Sequence, residues 1–413
     1  MKKITIAGSM IGTIIEWYDI FIFSSGSVYI GEELFPSSNK AVAVLDVLLV
    51  FALGFLTRPI GAFLFGHYGD RNGRKYSLLI TLLISGISSG LVGVLPTYAQ
   101  LGLITIILLV ILRLVLGLGL GGEWGGAILL VNETNERKRA FFSAFVQSTV
   151  GIGLLLGTGV FLILTSYLPS SEMFSFGWRI PFLLSFIMVA VGITIRLKID
   201  ETRLFTEVKN SGLIVRFPGK EMVVRYWKEL LLGTLLAGSL GTIFYVGAVL
   251  LPVVFSGLGI ISENISLIAV SLLAIADLTT VFISGKISDI IGRRLLLLLS
   301  NLGSLAIIIP AFEFRNPASF IFFVTLFGIF HGLGYSPLAA SLSEMFPTIV
   351  RYSGSSSAYQ FGNSFIAGPA SYISDFLGSI SYALYPLYSI AFILIAIYST
   401  IRMKETKDLQ LNE

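Results

Sequence analysis

Gly66–Lys75 reads GHYGDRNGRK, and Gly285–Arg294 reads GKISDIIGRR. Both obey G-x3-D-x2-G-R-[KR], and each follows an apolar run long enough to cross a bilayer as a helix. Two further echoes keep the same order. DETRLF at 200–205 answers KETKDL at 404–409, and the segment from Glu133 to Arg139 answers the segment from Glu344 to Arg351. Six membrane helices are therefore repeated with the same orientation. Parallel repeats about an axis along the membrane normal mark transporters built from two halves, with the substrate site between them.

Composition agrees with that reading. Of 413 residues, 55% are hydrophobic and only 13% charged, and the mean hydropathy is +0.88. A water-soluble domain carries roughly a quarter charged residues. Twelve apolar runs fall near 4–32, 41–66, 76–96, 99–132, 140–168, 178–198, 229–256, 262–284, 294–313, 318–345, 352–377 and 381–401. Their lengths fit helices, whereas barrel strands alternate over about 10 residues. The first run is too long and too acidic for a signal peptide. Between Arg196 and Lys228 the chain turns polar, which divides it into a bundle over 1–198, a cytoplasmic linker over 199–227 and a second bundle over 228–413.

A cytoplasmic N-terminus leaves only Lys40, Arg179 and Arg315 of the 28 Lys/Arg outside, with Arg58 and Arg113 within the membrane. Both termini are then cytoplasmic and the protein is expected in the cell membrane as a monomer. The net charge of +4 reflects this topology, so nucleic acid is not an expected partner. The chain has no cysteine, and it shows no metal-ligand cluster, nucleophile triad or phosphate-binding loop. Neither an enzyme nor a cofactor is expected.

Charges inside the apolar runs are the informative residues. GTIIEWYDIF at 12–21 puts Glu16 and Asp19 three apart, on one face of the first helix. A charge at mid-bilayer costs about 2.5–3.5 kcal/mol even on insertion scales, so such groups are functional by default. Two readings are open: the pair carries a proton, or one or both acids neutralise an arginine. Arg113 needs a partner, with Glu16, Asp19 and a bound anion as candidates. Glu123 is a relay acid or a structural partner. Arg58 and Asp277 each lie eight residues before a motif glycine, so they pair across the halves or each within its own. Trp17 and Tyr18 stack on substrate or pack between helices. His331 titrates or serves as hydrogen-bonded structure. Glycines at 117, 119, 121, 122, 125 and 126 point to close helix packing.

Four separated motifs carry a resemblance. The GHYGDRNGRK loop and R-x3-G-x-G at Arg113 to Gly119 resemble motifs of the major facilitator superfamily. Within it, IEWYDIF (15–21), GFLTRPIGAFLFGHYGDRNGRK (54–75), GLGLGGEWGGA (117–127) and GWRIPFLLS (177–185) resemble the metabolite:proton symporter family. The resemblance implies two pseudo-symmetric six-helix bundles that import a small organic acid or zwitterion with protons, by alternating access. Sugar porters share the loop motifs; an uncoupled facilitator or a transporter-like receptor is the remaining alternative. Asp19, Glu16 and Glu123 are then the proton-coupling candidates. Arg113, Arg58, Trp17, Tyr18 and Asp277 are the substrate-binding candidates. A protonated acid facing Arg113 across the cavity would free the arginine for an anionic group. The resemblance further implies a gating network of Asp70, Arg71, Arg74, Glu133 and Arg139 with Asp289, Arg293, Glu344 and Arg351. Ile290 and Ile291 replace Arg71 and Asn72 in the second copy, so a weaker second latch is expected.

Overall fold

The structure, a computed structural model, describes residues 3–35, 40–135, 137–212, 214–313 and 315–409. The side chain of Lys40 lies outside the described set. The first half contains α1 (Lys3–Ser25), α2 (Lys40–Asn72), α3 (Arg74–Val92), α4 (Leu103–Asn132), α5 (Arg139–Gln147 continued by Thr149–Tyr167) and α6 (Ile180–Leu197). The second contains α7 (Trp227–Tyr245), α8 (Glu263–Ile291), α9 (Arg293–Glu313), α10 (Pro317–Glu344), α11 (Arg351–Gly362) and α12 (Leu387–Arg402). Two short helices, Arg203–Asn210 and Pro218–Arg225, occupy the polar connector.

Among the described residues, ten helices are long and apolar enough to cross a membrane. The other two expected spans lie in α2 and α11. Helix α2 runs 33 residues but carries Arg58, His67, Asp70 and Arg71. Helix α11 reads RYSGSSSAYQFG and passes through a wide π-helical turn, Asn363–Ala367, before Ala370–Ile380. Polar composition in both follows from burial: their neighbours are protein as much as lipid. Helix α7 has the matching interruption, a π turn at Val246–Leu250. Such turns often mark functional positions.

Glycine decides how closely α2 and α4 approach. A Cβ at Gly117 would collide with the carbonyl oxygen of Gly54, and one at Gly121 with that of Arg58. Small residues thus let the two backbones touch, which brings Arg58 and Arg113 to the same side, against α1. At the loop motifs the chain turns through Gly73 (φ 117°) and Gly292 (φ 107°), a left-handed conformation that favours glycine. One large apolar core joins the halves, packing Trp124, Val146 and Val150 with Leu240, Leu273 and Leu338.

Candidate functional site

A cavity of about 250 Å³ lies between the halves, walled by Trp17, Phe21, Phe55, Phe244, Tyr245 and Asp277 among others. A smaller pocket shares Trp17, Phe244 and Tyr245 and adds His331, Tyr335, Tyr359 and Asn363. Tyr245 and Asn363 stand where the π turns of α7 and α11 begin. Tyr359 stacks on Trp124 with ring centroids 3.6 Å apart, and its hydroxyl lies 2.8 Å from that of Tyr335. The cavity volume falls just under the roughly 300–1,000 Å³ of drug-sized sites. It suits a small metabolite.

The two acids of α1 share a face, as their spacing predicts, but have separate partners. Arg113 Nη1 and Nη2 donate to Asp19 at 2.8 and 3.1 Å, and the Ser89 hydroxyl donates to Asp19 at 2.5 Å. Arg58 Nη1 donates to Glu16 at 2.9 Å. All four groups are buried. The picture of an acid facing Arg113 across the cavity is therefore corrected: both pairs close within the first half and stand behind the cavity wall. The Arg58 and Arg113 guanidiniums also lie over the Phe55 and Phe23 rings.

Arg58 and Asp277 do not meet; each pairs within its own half. Asp277 Oδ1 lies 2.7 Å from His331 Nδ1. Glu123 takes both terminal nitrogens of Arg196 and the Thr81 hydroxyl, which favours the structural reading. Arg196 is itself buried at the end of α6 rather than part of the polar connector. Tyr18 is turned away from the cavity, donating to the Pro181 carbonyl at 2.7 Å. It leaves the set of substrate contacts, whereas half-buried Trp17 stays in it.

At the loop-motif end the halves bolt together. Asp70 accepts from the backbone N–H groups of Tyr352 and Ser353 at 3.0 and 2.8 Å, the first turn of α11. Asp289 accepts from those of Ala140 and Phe141 at 3.1 and 2.9 Å, the first turn of α5. Free N–H groups at a helix start are ready partners for carboxylate. Arg74 and Arg351 converge on Glu133, and Arg293 and Arg139 converge on Glu344. Glu201 caps α3 through the N–H groups of Arg74 and Lys75, while Glu405 caps α9 through those of Arg293 and Arg294. Arg71 lies exposed outside this buried cluster. Its loss from the second copy removes no bond from the buried cluster, but Asp70 also accepts from the Ser353 hydroxyl at 2.8 Å, a third cross-half bond where Asp289 accepts two.

Sequence reasoning missed Arg196, Ser89, Tyr245, Tyr335 and Tyr359. The repeat could have shown the capping role of Glu201 and Glu405, since both echo segments carry Glu-Thr at equivalent places.

The chain matches the family model described as sugar (and other) transporter over residues 4–212 and 226–413. It is 35% identical to the inner membrane metabolite transport protein YhjE of Escherichia coli, covering 91% of this chain and 88% of that protein. It is 32% identical to the E. coli shikimate transporter over 86% of this chain and 82% of that one. The proline/betaine transporter of Salmonella typhimurium is 29% identical, covering 98% and 84%. Among solved structures, the proton:xylose symporter XylE bound to 6-bromo-6-deoxy-D-glucose superposes with a TM-score of 0.78 at 18% identity, over 99% of this chain and 97% of that one.

Proposed function

The chain belongs to the sugar (and other) transporter family of the major facilitator superfamily, and from that premise we propose that it is a proton-coupled importer of a small organic acid or zwitterion. It is a multi-pass membrane transport protein, not an enzyme. The bundles are 1–198 and 228–413, joined by 199–227, with both termini and the bolted end in the cytoplasm. The basic residues of the loops support that orientation.

One observation carries the reading: a metabolite-sized cavity between halves is backed by two buried acid–arginine pairs and lies beyond a bolt that either state must make or release. Opening a buried ion pair by removing one partner's charge costs about 3–5 kcal/mol unless something replaces it. A proton on Asp19 neutralises the acid and releases Arg113, which does not line the cavity while paired, to turn toward a substrate carboxylate there. Proton and anion then favour one another's binding. The mostly aromatic and aliphatic wall offers few polar partners to a sugar's many hydroxyls. Relatives named for shikimate and for proline/betaine handle an acid and zwitterions, the same classes.

In proteoliposomes, a pH gradient is expected to drive accumulation of a compound from a panel of shikimate, proline, glycine betaine and xylose. Asp19→Asn should abolish accumulation yet keep gradient-free exchange. Accumulation by Asp19→Asn with wild-type pH dependence would overturn the coupling role.

A further inference from the structure

Three carboxylates, those of Glu16, Asp19 and Asp277, are buried midway along long helices beside the cavity. Two guanidiniums, Arg58 and Arg113, close on the first two. Glu123 adds no imbalance, because Arg196 closes on it. Asp277 has an imidazole instead, His331. Guanidinium is always charged; imidazole is the side chain that ordinarily changes charge between pH 5 and 8. The site therefore carries one negative charge whose balance is conditional.

Asp277 is also the acid that lines the larger cavity, whereas Glu16 and Asp19 are not part of its wall. The wall beside it is aromatic, with Trp17, Phe244 and Tyr245 shared between the two pockets. Aromatic faces attract organic cations, most strongly once desolvated. Gly332 permits the pairing on the helix side: a Cβ there would stand 3.0 Å from Asp277 Oδ1.

We propose that Asp277 is the subsite for a cationic, ammonium-type group on the transported metabolite, and that His331 is a proton-controlled competitor for the same carboxylate. With His331 neutral, the buried charge of Asp277 is satisfied by the substrate's cation. With His331 protonated, the pair is neutral and the cation gains nothing. The groups that face the pair come from four helices and from the first half. Helix α7 brings Phe244 and Tyr245, α10 brings Tyr335, and α11 brings Tyr359 bonded to Tyr335. The first half brings the closed Glu16–Arg58 pair within electrostatic reach of Tyr245. Helix α5 presents phenylalanines, Phe141 and Phe145, against Phe282 of α8. The two proton sites then act with opposite sign: protonating Asp19 favours the substrate's anionic end, while protonating His331 disfavours its cationic end.

This inference rests on the transporter reading, and matched ligands separate the two. Glycine betaine is paired with its neutral-headed isostere 3,3-dimethylbutanoate, and proline with cyclopentanecarboxylate. Binding to the purified full-length protein is read by thermal shift. At about pH 8 the zwitterion of at least one pair should bind about tenfold tighter or more, the scale of a desolvated charge contact. Near pH 5.5 that preference should collapse. Asp277→Asn should bring the pair members level at both pH values. His331→Gln, which keeps a hydrogen-bonding side chain but cannot charge, should hold the preference constant with pH. Isosteres binding as well as zwitterions in the wild type, or a preference that survives Asp277→Asn, would overturn the subsite. If acids without a cationic group are the compounds bound and accumulated, the transporter reading stands and the subsite falls. If no member of either series binds or is transported, both fall.

Discussion

Glu133 draws a guanidinium from each half, Arg74 at 3.2 Å and Arg351 at 3.3 Å, and the Thr202 hydroxyl donates to it at 2.5 Å. Burial pushes its carboxyl up, but the two arginines and the threonine outweigh burial and hold it below the usual carboxylate range. A carboxyl so held contributes stability in full above its ordinary value and loses it as pH falls through the lower folded value. Glu133→Gln should therefore destabilise the purified protein by about 3 kcal/mol at neutral pH, by leaving buried arginines uncompensated. Wild-type and variant unfolding curves should draw together as pH falls below the ordinary carboxylate range and the wild-type acid takes up its proton. A constant gap across that range would contradict the sign. At this scale the charged residues announced themselves, since isolated ions in apolar runs are conspicuous. Their partners did not. Arg113 had three candidates, and only the fold chose Asp19. Arg196 sat at the polar border and read as connector, although its head is buried against Glu123.

Helix starts, not helix interiors, organise the loop-motif end. Glycines 73 and 292 supply the left-handed turn, and Glu201 and Glu405 then cap the helices that follow. Burial pushes Glu405 up, but four backbone N–H groups outweigh it and hold the carboxyl low. Losing a cap and its charge costs about 1–2 kcal/mol. Glu201→Gln and Glu405→Gln should each lower thermal stability by that amount and to a similar degree, because each accepts from the first two N–H groups of the helix it caps. A severe loss in one and none in the other would break the equivalence of the repeats. Most elements were legible from apolar length alone. The least legible were α2 and α11, which face protein and so carry polar residues that hydropathy reads as interruptions. No sequence period signals the π turns at Val246–Leu250 and Asn363–Ala367.

For the whole molecule, the two-half plan was legible because duplicated motifs survive at equivalent places. The depth of each ion pair was not, since it depends on which helices touch. The bolt predicts how the halves share work. Asp70→Asn and Asp289→Asn each replace a carboxylate that accepts two cross-half N–H bonds with a neutral amide. Each should reduce transport by about tenfold, the scale of a hydrogen bond to a charged group, and the double variant should lose about a hundredfold if the bolts are independent. Uptake by normally expressed single and double variants tests this; wild-type rates in Asp70→Asn would remove the bolt from the cycle.

On its receiving side the bolt is written mostly in main chain, with the Ser353 hydroxyl as the one side-chain donor to either aspartate across the halves among the described residues. Tyr352, Ser353, Ala140 and Phe141 offer N–H groups that nineteen of the twenty amino acids possess, so side-chain drift at those sites leaves these donors in place. Proline alone deletes the donor, and the first turn of a helix is where proline does least harm to the fold. Inheritance of the closed state is thus lopsided: two aspartates must be kept by selection, while their main-chain counterparts come free with the polypeptide.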